Sequence, residues 1–379
     1  MAGFLILSPI MKKLIYISLS LFLLWSCSDS SMSGLNEDEF DREAILVNWA
    51  DNIILPSFSN FASTTVSLNA SAQAFADAPD QQSLDNLREA WLESYKAWQH
   101  VSMFEMGRAM DLRYRDNMNI YPTDDEEILQ NIEEGGYNLE LPSLNNSQGF
   151  PALDYLLYGL ADTDEALLEF YTTGENAAGF KQYITDLTGR MESLTGDVYS
   201  HWTSGYRNEF VSNTGGGANS SLDMMVNDYI FHYEKNLRAG KIGIPAGVFS
   251  GTPLNGHVEG YYSEIYSKSL LLESIDAAQN FFNGRHFDSE MTGESLRSYL
   301  EYLGTTKDGT SLANLIDSQF EEARMEAREL NNDLSAQVQT DNTKMLSAYE
   351  ALQRNVVLLK VDMLQALNIN VDYVDADGD

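Results

Sequence analysis

The run MLSAYEALQRNVVLLKVDM, residues 345–363, decides the fold class. Its apolar residues Met345, Tyr349, Leu352, Val356, Leu359 and Met363 step by 4, 3, 4, 3 and 4. An α-helix turns every 3.6 residues, so this spacing gathers all six on one stripe. A seam of that kind packs lengthwise against neighbouring helices at a shallow angle. Upstream, Leu84, Leu87, Trp91, Tyr95 and Trp98 repeat the pattern inside residues 80–107. Residues 37–76 also read as helical. Leu55-Pro56 interrupts them, where proline removes an internal hydrogen bond and predicts a kink or two helices. Further helices are expected at about 151–160, 163–173, 177–202, 219–238, 258–283 and 311–332. No sustained strand alternation and no tandem repeat occurs. The chain reads as all-α, built from bundles.

Two stretches break the helical pattern. Residues 111–150 are polar and irregular, and residues 239–260 hold Gly240, Gly243, Pro245, Gly247, Gly251, Pro253, Gly256 and Gly260. Gly240-Lys241 lacks the Walker spacing and has no strand before it, so neither stretch is a nucleotide loop. Long loops in a compact helical protein are more often functional than filler.

Composition bounds the chemistry. The 379 residues carry 23 Lys+Arg against 57 Asp+Glu, a formal charge of −34, which repels phosphate backbones and excludes nucleic-acid binding. With 20 Tyr and 17 Phe the chain has enough apolar surface for a core, and wholesale disorder is excluded. The favoured partners are cations, metal ions or neutral polymers.

Residues 11–27, MKKLIYISLSLFLLWSC, have the layout of an export signal: Lys12 and Lys13, an apolar run from Leu14 to Trp25, then Cys27. The run is shorter than the ~20 residues that span a bilayer. Its L-x-S-C ending resembles a bacterial lipoprotein signal. The expectation is therefore a signal over residues 1–26 with its start at Met11, and a lipidated tether over residues 27–35 beginning at Cys27. The protein would sit in a Gram-negative-type envelope, anchored to the outer membrane, with the leaflet left open. Cys27 is the only cysteine, so its lipidation leaves no thiol for disulfide or thiolate chemistry.

Several residues are candidates for chemistry. In GFPALDYLLYG, residues 149–159, Pro151 fits a first helical turn and Asp154 falls near the helix's positive end. Asp154 is either a dipole-stabilised carboxylate or part of a site. Glu105 lies seven residues beyond Trp98, and a carboxylate on that face needs a partner. It forms either an internal ion pair with an arginine or part of a polar site. Asp228/His232 and His286/Glu290 have i, i+4 spacing, and His257 stands two before Glu259, but no H-E-x-x-H helix or G-x-S-x-G elbow is present. The ending from Asp372 to Asp379 stops short of a calcium loop's glutamate and reads as a solvated acidic tail.

Taken in order, these landmarks resemble the imelysin-like family, also called the insulin-cleaving or iron-regulated outer-membrane protein family. Arg88, Trp91, Tyr95, Trp98 and Glu105 match its second helix, and Tyr121-Pro122-Thr123-Asp124 its next element. GFPALD is similar to its G-x-H-x-x-E signature, with Pro151 for His and Asp154 for Glu. Arg238 to Gly243 matches an R-x-x-K-x-G segment, and Glu259 to Ser263 an E-x-x-x-S helix. The resemblance implies two helical-bundle domains, here 36–190 and 191–379, with a site near their interface. It implies a part in iron or nutrient acquisition, with iron-, haem- or siderophore-uptake components as partners. A ligand would then be held by Glu105 and Asp154 with Arg238 and Lys241 as counter-charges. Proline offers no ligand atom, so the expectation leans to a non-catalytic binder. The cofactor is open, with iron or another divalent metal considered and Asp154 and His257 as its candidate ligands. Two alternatives remain: a metal-dependent peptidase that recruits His257 or His232, and a glycan-binding lipoprotein.

Overall fold

Asp41 caps the first helix by accepting the N–H of Ala44 at 2.9 Å. In the computed structural model, residues 39–373 are described. The signal, Cys27, the tether and the last six residues of the acidic tail lie outside them. Helix α1 (Arg42–Asn48) runs through a wide π-turn (Trp49–Ile54) straight into α2 (Leu55–Asp77). The interruption expected at Pro56 is therefore absorbed without a break. Proline occupies the first turn of α2, and the widened turn before it takes up the unmatched carbonyls.

Helices α2, α3 (Gln81–Gln99) and α5 (Ala177–His201) pack side by side, with the short α4 (Gly149–Asp154) against them. All five residues of the α3 stripe are at most 2% exposed. A second set comprises α6 (Ser221–Phe231), its π-helical continuation His232–Gly243, α7 (Ser267–Phe282), α8 (Leu312–Arg328) and α9 (Asn342–Val357). Here the C-terminal stripe is buried at Met345, Leu352, Val356, Leu359 and Met363. Tyr349 is half-buried and turns to a polar partner, Arg238. The only strands among the described residues are the two-residue pair Thr306–Lys307 and Thr310–Ser311.

The described residues from Asp41 onward form one compact unit. The division expected at 190/191 falls inside α5, and α1 packs with the second helix set. Trp49 stacks on Phe281 at 4.9 Å, and Asn48 Nδ2 donates to the carbonyls of Gly284 and Glu294, both at 3.0 Å. The rod formed by α1 and α2 thus belongs to both sets.

Candidate functional site

Gly149 opens α4 at φ +75°, in the left-handed region that glycine favours. A Cβ there would lie 2.2 Å from the carbonyl oxygen of Met118. Gly149→Ala is expected to destabilise the protein by about 2–3 kcal/mol through left-handed strain and overpacking, read from the urea midpoint. A loss under 0.5 kcal/mol would show that the backbone can yield here. The next residue, Phe150, stacks flat on Tyr95 with centroids 4.3 Å apart, and its carbonyl accepts the indole N–H of Trp91. The start of α4 is thereby fixed to α3, and Pro151 sits buried in its first turn.

Asp154 is the sixth residue of α4, too far along to be held by the helix's positive end as the sequence suggested. Its carboxylate instead accepts the backbone N–H groups of Tyr262 at 2.8 Å and Ser263 at 3.0 Å. The residue is 2% exposed, and burial pushes its pKa up to about 7 against these bonds, with Glu259 adding repulsion. Near neutrality, Asp154 therefore exchanges a proton inside the folded protein.

The folded-state pKa lies above the ordinary value of 3.8, so between pH 4 and pH 7 the folded chain keeps a proton that the unfolded chain has lost. This group's contribution to stability is greatest at the acid end of that window and falls as pH rises through it. Asp154→Asn cannot titrate, so the stability of the natural protein relative to the variant should decline from pH 4 to 7. Parallel urea titrations check this, and a constant difference would be inconsistent with it.

Lys241 and Glu259 form a buried ion pair, 4% and 2% exposed. Glu259 also accepts from Asn119 Nδ2 at 2.8 Å, and Asn119 accepts the Tyr95 hydroxyl at 2.6 Å. One polar layer thus runs Tyr95–Asn119–Glu259–Lys241, with Asp154 close enough to Glu259 to repel it. The segment 258–266 was expected to be helical, yet α7 begins only at Ser267. Gly260 and Glu264 adopt left-handed φ values of +69° and +54°, which no α-helix accommodates. The resulting turns aim the N–H groups of residues 262 and 263 at Asp154.

The other two expected site residues lie elsewhere. Glu105 is part of an internal ion pair, one of the two readings open to it. Arg115 Nη1 lies 3.2 Å from its carboxylate, and Arg115 also pairs with Asp228. Asp228 accepts the backbone N–H of Glu105 at 2.6 Å, and Arg115 Nε donates to the carbonyl of Ser102. Helix α3 ends at Gln99, so Glu105 reaches this cluster through a turn and not along the helical face from Trp98. Arg238, three residues before Lys241, points into the second helix set. It donates to Tyr349 and Gln353, pairs with Glu234 at 3.6 Å and lies over the rings of Phe249 and Tyr349.

The donor set does not suit a catalytic metal. Pro151 supplies no ligand atom, and Asp154 faces amide N–H groups. Among the described residues no cluster of three His, Cys, Asp or Glu side chains could hold an ion, whereas a catalytic zinc takes about three protein ligands. His257 sits on a short 3-10 turn (Asn255–His257) and is not among the groups bonded to Asp154. Glu290, spaced for His286, pairs with Arg285 instead. The start of the acidic tail is docked: the N–H of Asp372 donates to Asn227, and the Tyr373 hydroxyl to Glu234.

A pocket of about 50 Å³ opens beside this layer, lined by Tyr121, Pro122, Pro151, Asp154, Tyr261 and Tyr262 among others. A wider groove of about 1360 Å³ lies apart from it, around His100, Glu273 and Arg324. Its charges largely pair with one another, as in His100–Glu273 at 2.7 Å and Arg324–Asp276 at 2.6 Å. We therefore place the candidate site at the buried layer and its pocket.

The imelysin family model (peptidase family M75) matches residues 54–359, which contain every residue of this layer. The chain belongs to the imelysin family. Among the solved structures that share its fold are two neighbours. One is an imelysin-like protein from Psychrobacter arcticum, 18% identical over 88% of this chain and 97% of its own, with a TM-score of 0.67. The other is named as an iron-regulated protein A precursor from Parabacteroides distasonis, also 18% identical with the same coverage and a TM-score of 0.71. No curated protein matches. In this imelysin protein four separate landmarks converge: Tyr121, the GFPALD start of α4, Lys241, and the Glu259–Ser263 turn. Asn119, which bridges Tyr95 to Glu259, was not anticipated. It stands in a polar stretch where nothing in the spacing sets it apart.

Proposed function

We propose that this imelysin protein is a lipid-anchored envelope protein that captures a ligand at the layer around Asp154 and Lys241, in iron or other nutrient acquisition, without hydrolysing it. The observation that carries the reading is the fate of the signature. The imidazole position is Pro151, and both carboxylate oxygens of Asp154 accept backbone N–H groups. A side chain so employed holds a loop in place and leaves no metal-activated water to attack a peptide. The iron-regulated name of the Parabacteroides neighbour supports the nutrient assignment. The family's hydrolytic name does not transfer through a signature lacking its imidazole. Arg238 and Glu105, each committed to other partners, are left out of the ligand set.

Calorimetry of the mature protein with ferric, ferrous and zinc ions, haem and a siderophore tests the capture. Binding of one of these, weakened by Asp154→Asn, and slower iron-limited growth of a deletion strain are the expected results. Chelator-sensitive peptide hydrolysis would overturn the non-catalytic reading. The anchor is tested separately. Cys27→Ser should move the protein from the membrane fraction to the soluble one and abolish fatty-acid labelling, and unchanged membrane retention would contradict lipidation. Among the described residues no helix is long and apolar enough to cross a membrane.

A further inference from the structure

His232 starts the π-helical continuation of α6 and is 2% exposed. Neither of its ring nitrogens makes a hydrogen bond to the protein, and Asn236 Oδ1, four residues on, is equally unpartnered. Buried polar atoms are nearly always satisfied by protein or by ordered water. Both residues line a cavity of about 20 Å³, together with Arg115, Tyr121 and Lys241. A space of roughly 10–15 Å³ admits one water.

The unmet groups select what fits. Burial, with Arg115 and Lys241 nearby, holds the imidazole well below its usual pKa, so it is neutral, with one N–H and one lone pair. Asn236 Oδ1 can only accept. An anion has no proton for that oxygen. From His232 and Asn236 a metal ion would receive one imidazole nitrogen and one amide oxygen, and Arg115 and Lys241 on the same cavity wall would repel it. A water donates one proton to Asn236 and still has a second proton and lone pairs for the imidazole.

We propose that the space between His232 and Asn236 is a built site for one long-lived internal water, with Tyr121 as its door. Tyr121 lines this cavity and also the pocket at Pro151 and Asp154, so it is the wall common to the two. The water joins the buried layer at Asn119 and Lys241, which also line its space. Its passage to solvent runs through the candidate ligand pocket. The inference stands apart from the identity of the ligand.

The test uses the full mature chain with ¹⁵N-histidine, which labels 5 residues. The expected result is a water cross-peak to the His232 imidazole, with ring shifts of a neutral tautomer from pH 5 to 8. Asn236→Leu should remove the cross-peak while circular dichroism stays native. Tyr121→Ala should speed the water's exchange. A folded natural protein without the cross-peak, or His232 shifts that move on adding bromide or zinc, would overturn the water assignment. Unchanged exchange in Tyr121→Ala would overturn the door.

Discussion

An Arg115→Met protein is expected to lose at least about 3–5 kcal/mol of stability, the cost of breaking a buried ion pair from one side. The loss exceeds that of an ordinary pair because the guanidinium serves two carboxylates. Arg115 is 10% exposed, and its partners Glu105 and Asp228 are 20% and 16% exposed. Methionine matches much of the volume and leaves both carboxylates in a poorly solvated place with no cation. Burial already pushes both carboxyl groups above their ordinary values, with Arg115 holding them down. Its removal lifts them further, so the variant takes up protons more readily than the natural protein. The destabilisation should therefore be largest at neutral and alkaline pH and shrink on acidification. Urea denaturation at pH 5 and 8 checks both parts. Adding Glu105→Gln and Asp228→Asn should return most of the loss, since amides need no counter-charge. A single variant within 1 kcal/mol of the natural protein would mean that water reaches the cluster.

Lys241→Met is expected to cost about 3–5 kcal/mol for the same physical reason with one carboxylate stranded. Glu259 keeps Asn119 as a neutral donor, which softens the loss relative to Arg115. Pairing the change with Glu259→Gln should recover most of the stability, because the amide oxygen can still accept from Asn119 and no charge stays buried. The double variant also separates structure from binding. If ligand capture survives in a stable Lys241→Met/Glu259→Gln protein, the pair holds the layer together and does not contact the ligand. If capture is lost while stability returns, Lys241 or Glu259 acts on the ligand directly.

The helices were legible where a stripe was long. Expectations at 163–173, 177–202 and 311–332 meet helices Asp164–Thr172, Ala177–His201 and Leu312–Arg328. Short elements were not. Helix Asp125–Glu134 buries only Ile128 and Ile132, too few apolar contacts to register in the polar stretch 111–150. The end of the expected helix at 258–283 failed for another reason. Residues 258–266 turn instead at Gly260 and Glu264, in left-handed conformations that go with the two amide bonds to Asp154 and that no apolar spacing announces.

The chain's own order of residues determined its helical class, the faces that would be buried, its strongly negative charge and its kinship, because periodicity and charge are local and additive properties. Tertiary structure alone decided what each buried charge would meet. Asp154 could have faced a metal, an arginine or, as it does, the backbone of Tyr262 and Ser263 more than a hundred residues away. Backbone N–H groups are common to every residue but proline, so no pattern of side chains announces them. Glu105 found Arg115 and Arg238 turned to Tyr349 for a related reason. A stripe says which way a side chain points, and only the packed neighbour says what it touches.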